Sequence, residues 1–165
     1  MSFHLEPLKE AHFERLHHLF DAVCRERRFM AFTEAPPIEQ AFAYYRSILA
    51  AGHTHFVAVR DTALLGWCDV LPLMGQMRSH AGILGMAVAA NDRGQGVGKQ
   101  LILAAIASAT QRGFRRIELT VHSENQAAQA LYKSVGFEYE GTQRRGWYLD
   151  GAYFDVHHMA RFSDA

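Results

Sequence analysis

The sequence predicts an α/β protein, in which a mixed sheet of about seven strands is flanked by about four helices. Two observations support this fold class. Strand and helix patterns follow one another in the order β-α-α-β-β-β-α-β-α-β-β, and 49% of the 165 residues are hydrophobic, which is enough to bury one substantial core. Because no linker, repeat or low-complexity tract interrupts the chain, we expect residues 1–165 to form a single domain.

The first half of the chain carries the signals for a short strand, two helices and three further strands. Apolar residues recur at helical spacing between Lys9 and Glu26. Pro36 and Pro37 can begin a second helix, which Gly52 would end. Runs of apolar and β-branched residues indicate the strands, which we expect at Phe3–Leu5, His55–Arg60, Leu64–Leu71 and His80–Ala90.

The second half alternates between helices and strands and ends in a hairpin. A helix begins near Val97 and ends at Gly113, and another runs from Glu124 to Val135. Strands are expected at Arg116–Val121, Phe137–Trp147 and Tyr153–Arg161. A turn at positions 150–151 separates the last two strands, so we expect them to pair with each other.

Charge and composition exclude several classes of partner. Lys and Arg number 17 and Asp and Glu number 17, so the formal net charge is zero with ten neutral histidines. A nucleic acid or an anionic membrane would require concentrated positive charge. The N-terminal segment lacks the apolar core of a signal peptide, and no stretch approaches ~20 uninterrupted apolar residues. We therefore expect a cytoplasmic protein that binds neither nucleic acid nor membrane.

The cysteines and histidines do not form a metal-binding pattern. Cys24 and Cys68 are far apart and fit neither a disulfide scaffold nor a zinc ribbon. Adjacent histidines such as His17 and His18 point in different directions, so both rings of a doublet do not chelate one ion. We expect reduced thiols and no bound metal.

The most informative segment is the glycine-rich loop at positions 91–98, between a predicted strand and a predicted helix. Glycines let the backbone approach a ligand closely, and the following helix adds the positive end of its dipole, so this junction suits a phosphate or pyrophosphate. It is not a dinucleotide fingerprint, because Lys99 occupies the third glycine position, and it lacks the spacing of a Walker A loop. A tight turn between strand and helix is the alternative.

A second motif follows the next strand, where the chain reads IELTVHSENQAAQALYKSVGFEYEG from Ile117. Its marker residues are Asn125, Ala128, Leu131, Tyr132, Gly136 and Phe137. With both motifs in this order, the segment from Ala81 to Gly141 resembles the GCN5-related N-acetyltransferase (GNAT) superfamily. The resemblance implies a sheet that splays open at the strand before the glycine loop, with acetyl-CoA as the acetyl donor.

The resemblance also assigns residues to the cofactor. The pyrophosphate of coenzyme A would lie on the loop and the start of the next helix, formed by Arg93, Gly94, Gln95, Gly96, Val97, Gly98 and Lys99. The backbone of the preceding strand, at Met86 and Val88, would hold the pantetheine arm by hydrogen bonds. Asn125 would contact the same arm. Its alternative role is a bystander beside a capping box formed by Ser123 and Gln126.

For catalysis, the resemblance implies that Tyr132 donates a proton to the departing thiolate of coenzyme A. The alternative is an aromatic residue that packs on the apolar face of its helix. Many relatives use a glutamate on the strand before the glycine loop as general base, but this strand contains no carboxylate. Glu118 is our candidate, and His122, Asp69 and His80 are alternatives that could act through water. A neutral amine would need no dedicated base.

The loop after the first helix and the C-terminal hairpin border the acceptor site in the resembled superfamily. Arg28, Phe29 and Arg145 are therefore our candidates to contact the substrate, because a guanidinium can bind a carboxylate with two parallel hydrogen bonds. The alternative places Arg28 at the end of a helix and Arg145 on the surface of a strand. We expect acetyl transfer to the primary amine of a small molecule, an amino acid or a related carboxylated amine, by direct attack in a ternary complex.

Two other functions remain open at this point. A protein or peptide N-terminal acetyltransferase would need an open peptide groove. A non-catalytic acyl-CoA-binding module would keep the glycine loop without the chemistry; Tyr132 argues against it and the absent strand carboxylate argues for it. We expect a small-molecule amine as the partner, and assembly as a homodimer is also open.

Overall fold

One seven-stranded mixed sheet forms the centre of the computed structural model, which describes residues 2–164. In chain order the strands are β1 His4–Pro7, β2 Thr54–Arg60, β3 Ala63–Pro72, β4 Ala81–Val88, β5 Arg116–His122, β6 Glu138–Leu149 and β7 Ala152–Phe162. They lie side by side in the order β1-β2-β3-β4-β5-β7-β6. β4 and β5 are parallel, and every other neighbouring pair is antiparallel. The mixed sheet expected from the sequence is confirmed.

Among residues 2–164, four α-helices cover the sheet: α1 Phe13–Arg25, α2 Ile38–Ala51, α3 Val97–Gln111 and α4 Gln126–Ser134. α2 begins directly after Pro37 and ends at Gly52, whose φ of +63° is left-handed, as the sequence predicts. α1 begins later than the predicted Lys9, because a short 3-10 turn at Glu10–His12 precedes it. The boundaries differ from the predictions by a few residues, and the set of elements is the one expected.

Each face of the sheet buries its own apolar core. The stripe predicted for α3 lies on one face, where Val97, Leu101, Ala105 and Ala109 are at most 1% exposed. On the other face, α1 and α2 enclose Trp67 of β3 together with Val57 and Val59 of β2. Successive side chains of a strand therefore alternate between an α3–α4 face and an α1–α2 face.

β4 and β5 separate after a short paired segment. Ala81–Ile83 of β4 pairs with Arg116–Glu118 of β5, and no further pairing joins these two strands in the described part of the chain. From Leu84 to Val88, β4 stays paired with β3 on its other side, and β5 stays paired with β7. This is the splay that the resemblance implies. Backbone N–H and C=O groups along such an open edge can pair with another molecule.

Gly66 of β3 lies close to both β4 and α3. A Cβ at this position would come 2.7 Å from the carbonyl oxygen of Ala87 and 3.1 Å from a methyl carbon of Leu101. We expect Gly66→Ala to lower the free energy of unfolding by ~1–3 kcal/mol, because the neighbouring strand and helix must shift to admit the methyl group. Urea unfolding measures this loss. The control is Gly141→Ala, since a Cβ there meets nothing within 4 Å, and an equal loss in both variants would contradict the steric explanation.

Candidate active site

A cavity of about 620 Å³, here called the central cavity, occupies the gap between β4 and β5. Met86 and Val88 line it from the α3–α4 face, together with Leu131 of α4. From the α1–α2 face its lining includes Ala87 of β4 and Met30, which follows α1. The central cavity therefore touches both faces of the sheet, which lets two reactants approach each other from opposite sides.

The glycine loop leaves space at one end of the central cavity. Gly94 and Gly96 have left-handed φ values of +74° and +83°, and a Cβ added to either would meet nothing within 4 Å. Gly96 directly precedes α3 and no side chain caps this helix, so its first N–H groups remain available to an anion. Gly98 and Lys99 also line the cavity. The loop has the geometry that a pyrophosphate requires.

Gln95 and Val97 are predicted cofactor residues whose side chains do not line the central cavity. Val97 is 1% exposed and packs in the core of the α3–α4 face. Gln95 donates a hydrogen bond to the carbonyl oxygen of Asn91 at 2.9 Å. The turn directs the Val97 side chain into the core and the Gln95 side chain back onto the loop, so only the backbone of these two residues faces the predicted pyrophosphate, and their assignment stays a prediction.

Arg93 lines the central cavity, but its guanidinium is already engaged. It donates to both carboxylate oxygens of Glu26 at 2.9 and 2.7 Å, and its Nε donates to the carbonyl oxygen of Val88 at 2.9 Å. Glu26 directly follows α1. Arg93 thus joins the end of α1 to the end of β4 across the mouth of the cavity, and Lys99 is the loop cation that remains for a phosphate.

Asn125 is not the bystander that the alternative for this residue supposed. Its Oδ1 accepts a hydrogen bond from the Ala128 N–H at 3.2 Å and so caps α4, and the residue also lines the central cavity. The capping box expected from Ser123 and Gln126 is therefore wrong, since Asn125 itself is the N-cap.

Tyr132 lies in α4 on the α3–α4 face and lines the central cavity. The residue is 8% exposed, and its ring packs against Phe137 with 5.9 Å between the ring centroids. Burial raises the pKa of the Tyr132 phenol above its ordinary value. The phenol therefore stays protonated at neutral pH and can donate to an atom that becomes negatively charged.

Glu118 does not reach the central cavity. It lies on the segment where β4 and β5 are still paired, and its carboxylate accepts from Arg116 Nε at 2.9 Å. Thr120, the next residue on the same face of β5, does line the cavity. The placement of Glu118 as general base is corrected, because the strands separate one step beyond it and an arginine holds its charge.

A second cavity of about 410 Å³, here called the side cavity, shares Met30, Ala31 and Trp147 with the central cavity. Its wall is aromatic. His122 lies in the middle, with ring centroids 5.3 Å from Phe29, 5.5 Å from Trp147 and 4.9 Å from Phe154.

Burial lowers the pKa of His122, so its imidazole is neutral at pH 7. Sequence analysis did not single out Phe154, because only the pairing of β6 with β7 brings it beside Trp147.

The two arginines expected to bind a carboxylate do not converge. Arg28 lines the side cavity, with its guanidinium carbon 4.6 Å from the ring centroid of Phe29. Arg145 lines neither cavity described above, and its guanidinium carbon lies 5.3 Å from the ring centroid of Tyr153. Arg145 has a φ of +54° within an irregular part of β6, where its N–H donates to Asp155 at 2.8 Å. The position of Arg145 in the hairpin therefore does not bring its guanidinium to either cavity.

Residues 14–137 match the acetyltransferase (GNAT) family, and the match includes the glycine loop, the splayed strands and Tyr132. The chain belongs to this family. The acetyltransferase is 32% identical over 111 residues to the L-amino acid N-acetyltransferase AaaT of Escherichia coli, across 67% of this chain and 68% of the relative. It is also 32% identical over 141 residues to the N-alpha-acetyltransferase RimI of Mycobacterium tuberculosis, across 85% of each chain.

Solved acetyltransferases share the fold of this GNAT protein along nearly its whole length. One from Salmonella typhimurium, solved with its cofactor acetyl-CoA, superposes with a TM-score of 0.92 at 15% identity over 99% of this chain and 95% of its own. The ribosomal-protein-alanine N-acetyltransferase from Brucella melitensis superposes with a TM-score of 0.91 at 22% identity, over 97% of this chain and 99% of its own.

The protein is therefore an acetyl-CoA-dependent N-acetyltransferase, and its residues fit this donor. The open edge of β4 at Met86 and Val88 offers backbone groups to an extended arm. Gly94 and Gly96 leave open space beside the N-terminus of α3, where a Cβ would meet nothing. Lys99 adds positive charge at the same place.

Residues 2–164 of this GNAT protein contain neither a candidate metal cluster nor a candidate membrane-spanning helix. In the described range 2–164, no three His, Cys, Asp or Glu side chains lie close enough together to hold an ion. None of the helices in that range combines the length and the apolar character needed to cross a membrane.

Proposed function

We propose that this acetyltransferase acts on the primary amine of a small molecule that also carries a carboxylate, namely an L-amino acid with an apolar or aromatic side chain. The side cavity is the observation that carries the proposal, because it combines an aromatic wall with the Arg28 guanidinium and adjoins the central cavity. A flat apolar side chain would pack on His122 and Trp147, while the carboxylate would face Arg28. The name of the Escherichia coli relative, an L-amino acid N-acetyltransferase, supports the same acceptor class.

A contact across the acceptor side favours a small acceptor over a peptide. Arg27 lines the side cavity and donates to Asp150, in the turn between β6 and β7, at 2.7 Å. This ion pair joins the two segments that border the side cavity. A protein N-terminus would need a groove that continues between these segments. The likeness to the Mycobacterium tuberculosis RimI supports the peptide alternative, so a peptide belongs in the test.

The chemistry follows from the groups around the central cavity. Acetyl-CoA supplies the acetyl group as a thioester that is already activated toward an amine. A backbone N–H on the open edge of β4, near Met86 or Val88, can polarise the thioester carbonyl. Tyr132 keeps its proton at neutral pH and can give it to the departing sulfur. Burial raises the pKa of the Cys68 thiol, which disfavours a nucleophilic thiolate and supports direct transfer between two bound reactants.

Removing the Arg28 guanidinium is expected to weaken selection for the carboxylate. In Arg28→Ala, kcat/KM for L-phenylalanine should fall by about 10- to 100-fold, which corresponds to the loss of one charge-assisted hydrogen-bonded pair. Phenethylamine has the same amine and ring without the carboxylate, so its kcat/KM should hardly change. Arg145→Ala is the matched control, because Arg145 lies over Tyr153 and lines neither cavity.

The experiment that tests the proposed function compares acceptors directly. Thiol release from acetyl-CoA is measured with L-phenylalanine, with phenethylamine and with a short peptide that has a free N-terminal alanine. We expect L-phenylalanine to have the highest kcat/KM of the three. Equal values for the amino acid and its decarboxylated amine, or a clear preference for the peptide, would overturn the proposed acceptor class.

A further inference from the structure

The central cavity is short of groups that could take a proton from the acceptor. Among the described residues that line it, Glu26 is the one carboxylate, and both of its oxygens accept from Arg93. In the side cavity, His122 Nδ1 accepts from the Glu124 N–H at 3.1 Å, so the neutral imidazole carries its hydrogen on Nε2. The acceptor binds as an ammonium ion at neutral pH and must lose a proton before it can attack. Glu124 also lines the side cavity, so the base comes either from this residue or from an element outside both linings.

Asp69 of β3 lies directly behind the open segment of β4. Asp69 does not itself line the central cavity, but its pairing partner Gly85 does, and Gly85 carries no side chain that would separate the two. A Cβ added to Gly85 would stand 3.3 Å from Asp69 Oδ1, so the carboxylate lies over this glycine where another residue would place a side chain. The Asp69 side chain is 14% exposed and is therefore not sealed from the solvent.

The face of Asp69 is also the correct one for an acceptor. Trp67, two residues earlier in β3, packs in the core of the α1–α2 face, so Asp69 points to that face as well. Cys68, between them, packs on the α3–α4 face, where Tyr132 also lies. The carboxylate of Asp69 and the phenol of Tyr132 thus flank the open segment of β4 from opposite faces. Asp69 therefore lies on the side from which the acceptor approaches, and Tyr132 lies on the side of the departing sulfur.

The surroundings of Asp69 make it a stronger base than an ordinary aspartate. Burial raises the pKa of its carboxyl to about 7, and the Gly85 N–H only partly opposes this. His55 Nδ1 lies 3.5 Å from Asp69 Oδ2, and burial lowers the pKa of this imidazole to about 4, so it is neutral at pH 7. The titratable groups that face Asp69 are His55 from β2 and Tyr44 and Tyr45 from α2, with His12 behind His55.

We propose that Asp69 accepts, across Gly85, the proton that the ammonium group of the acceptor loses before it attacks. The proton passes from nitrogen to a carboxylate oxygen, directly or through one water molecule. The freed lone pair forms the C–N bond, the C–S bond breaks, and the sulfur takes the proton of Tyr132. The second proton lost by nitrogen restores the Tyr132 phenol, and Asp69 releases its proton to solvent. This inference rests on N-acetyltransferase activity and not on which amine is the acceptor.

The first test compares pH profiles, measured with whichever of the three acceptors above the parent enzyme acetylates fastest. In the parent, kcat/KM should fall as the pH drops through about 7, because the protonated Asp69 cannot accept a proton. In Asp69→Asn, kcat near neutral pH should be ~10²-fold lower than in the parent. Its kcat/KM should also no longer show the fall toward low pH, here called the break in the profile. Glu118→Gln should keep the break, since Glu118 lies on the paired part of β5. A parent-like break in Asp69→Asn, or its loss in Glu118→Gln, would overturn the proposal.

The second test does not depend on activity. In ligand-free protein with carbon-13-labelled aspartate, the carboxyl resonance that is absent from Asp69→Asn should titrate near pH 7; titration near ~4, as for an ordinary aspartate, would overturn the proposal. Gly85→Ala keeps every ionisable group but places a Cβ 3.3 Å from Asp69 Oδ1, beside the cavity. It should lose activity while the Asp69 resonance still titrates near neutrality. Full activity in Gly85→Ala would contradict a proton path across this residue.

Discussion

Replacing Tyr132 with phenylalanine is expected to lower kcat by ~10²–10⁴-fold while acetyl-CoA binds nearly as well as before. The phenol lines the central cavity, and its ring is buried against Phe137. Phenylalanine keeps this packing and removes only the hydroxyl, so the change falls on the proton that the departing sulfur needs. Steady-state kinetics measures kcat, and calorimetry with acetyl-CoA measures binding.

The matched control for this prediction is Tyr139→Phe. Tyr139 lies in β6, lines neither cavity, and its hydroxyl hydrogen-bonds that of Thr142 at 2.7 Å. Removal of the Tyr139 hydroxyl should leave kcat unchanged. Because burial raises the pKa of the Tyr132 phenol, the parent should also show no loss of kcat from its ionisation as the pH rises toward 10. If chemistry is the rate-limiting step and kcat is unchanged in Tyr132→Phe, then Tyr132 packs in the core and does not donate a proton to the departing sulfur.

The sequence predicted best what depends on neighbours along the chain. The apolar stripe of α3 and the left-handed Gly52 are local signals, and both lie where expected. The glycine loop and Tyr132 also line one cavity, as their two motifs imply, although they are more than 30 residues apart. Here the resemblance supplied the long-range information, since a known family fixes how its motifs come together in space.

The sequence predicted least well what depends on contacts between distant segments. Arg93 was expected at a phosphate, but its guanidinium binds Glu26, which lies at the end of α1. Arg145 was expected at the acceptor, but an irregularity in β6 turns it toward Tyr153. Spacing and alternation describe ideal helices and strands, so they cannot anticipate an ion pair between a loop and the end of a distant helix or a bulge inside a strand.

The choice of a general base also depends on contacts between segments that are distant in the sequence. Sequence analysis named Glu118 as the candidate and Asp69 as one of the alternatives. The register between β3 and β4 places Asp69 opposite a glycine of the cofactor strand, and the register between β4 and β5 places Glu118 before the strands separate. Register is a property of the assembled sheet, and it reverses the order in which the sequence analysis placed these two carboxylates.

Placing a large side chain at Gly98 is expected to weaken acetyl-CoA binding strongly while the fold is retained. A Cβ at this position would lie 3.3 Å from a methyl carbon of Leu131, 3.4 Å from the methyl carbon of Met86 and 3.5 Å from one of Val88, so Gly98 faces the narrow part of the central cavity between α4 and β4. Gly98→Leu places its side chain where the arm of the cofactor would lie. Calorimetry should show a dissociation constant weaker by ~10²-fold or more.

Substitution of Gly98 is a more specific test than substitution of Gly96, because the φ of Gly98 is not left-handed. A side chain at Gly96 would strain a backbone with φ of +83°, so lost binding there could reflect a distorted loop. At Gly98 the backbone accepts any residue, and alanine favours the helix over glycine. The methyl group of Gly98→Ala lies 3.3 Å from Leu131, which must shift slightly, so this variant should fold with little change in stability and bind acetyl-CoA with only a small loss, and leucine should add the steric block. If thermal unfolding shows both variants intact and Gly98→Leu still binds as tightly as the parent, the cofactor does not pass between α4 and β4.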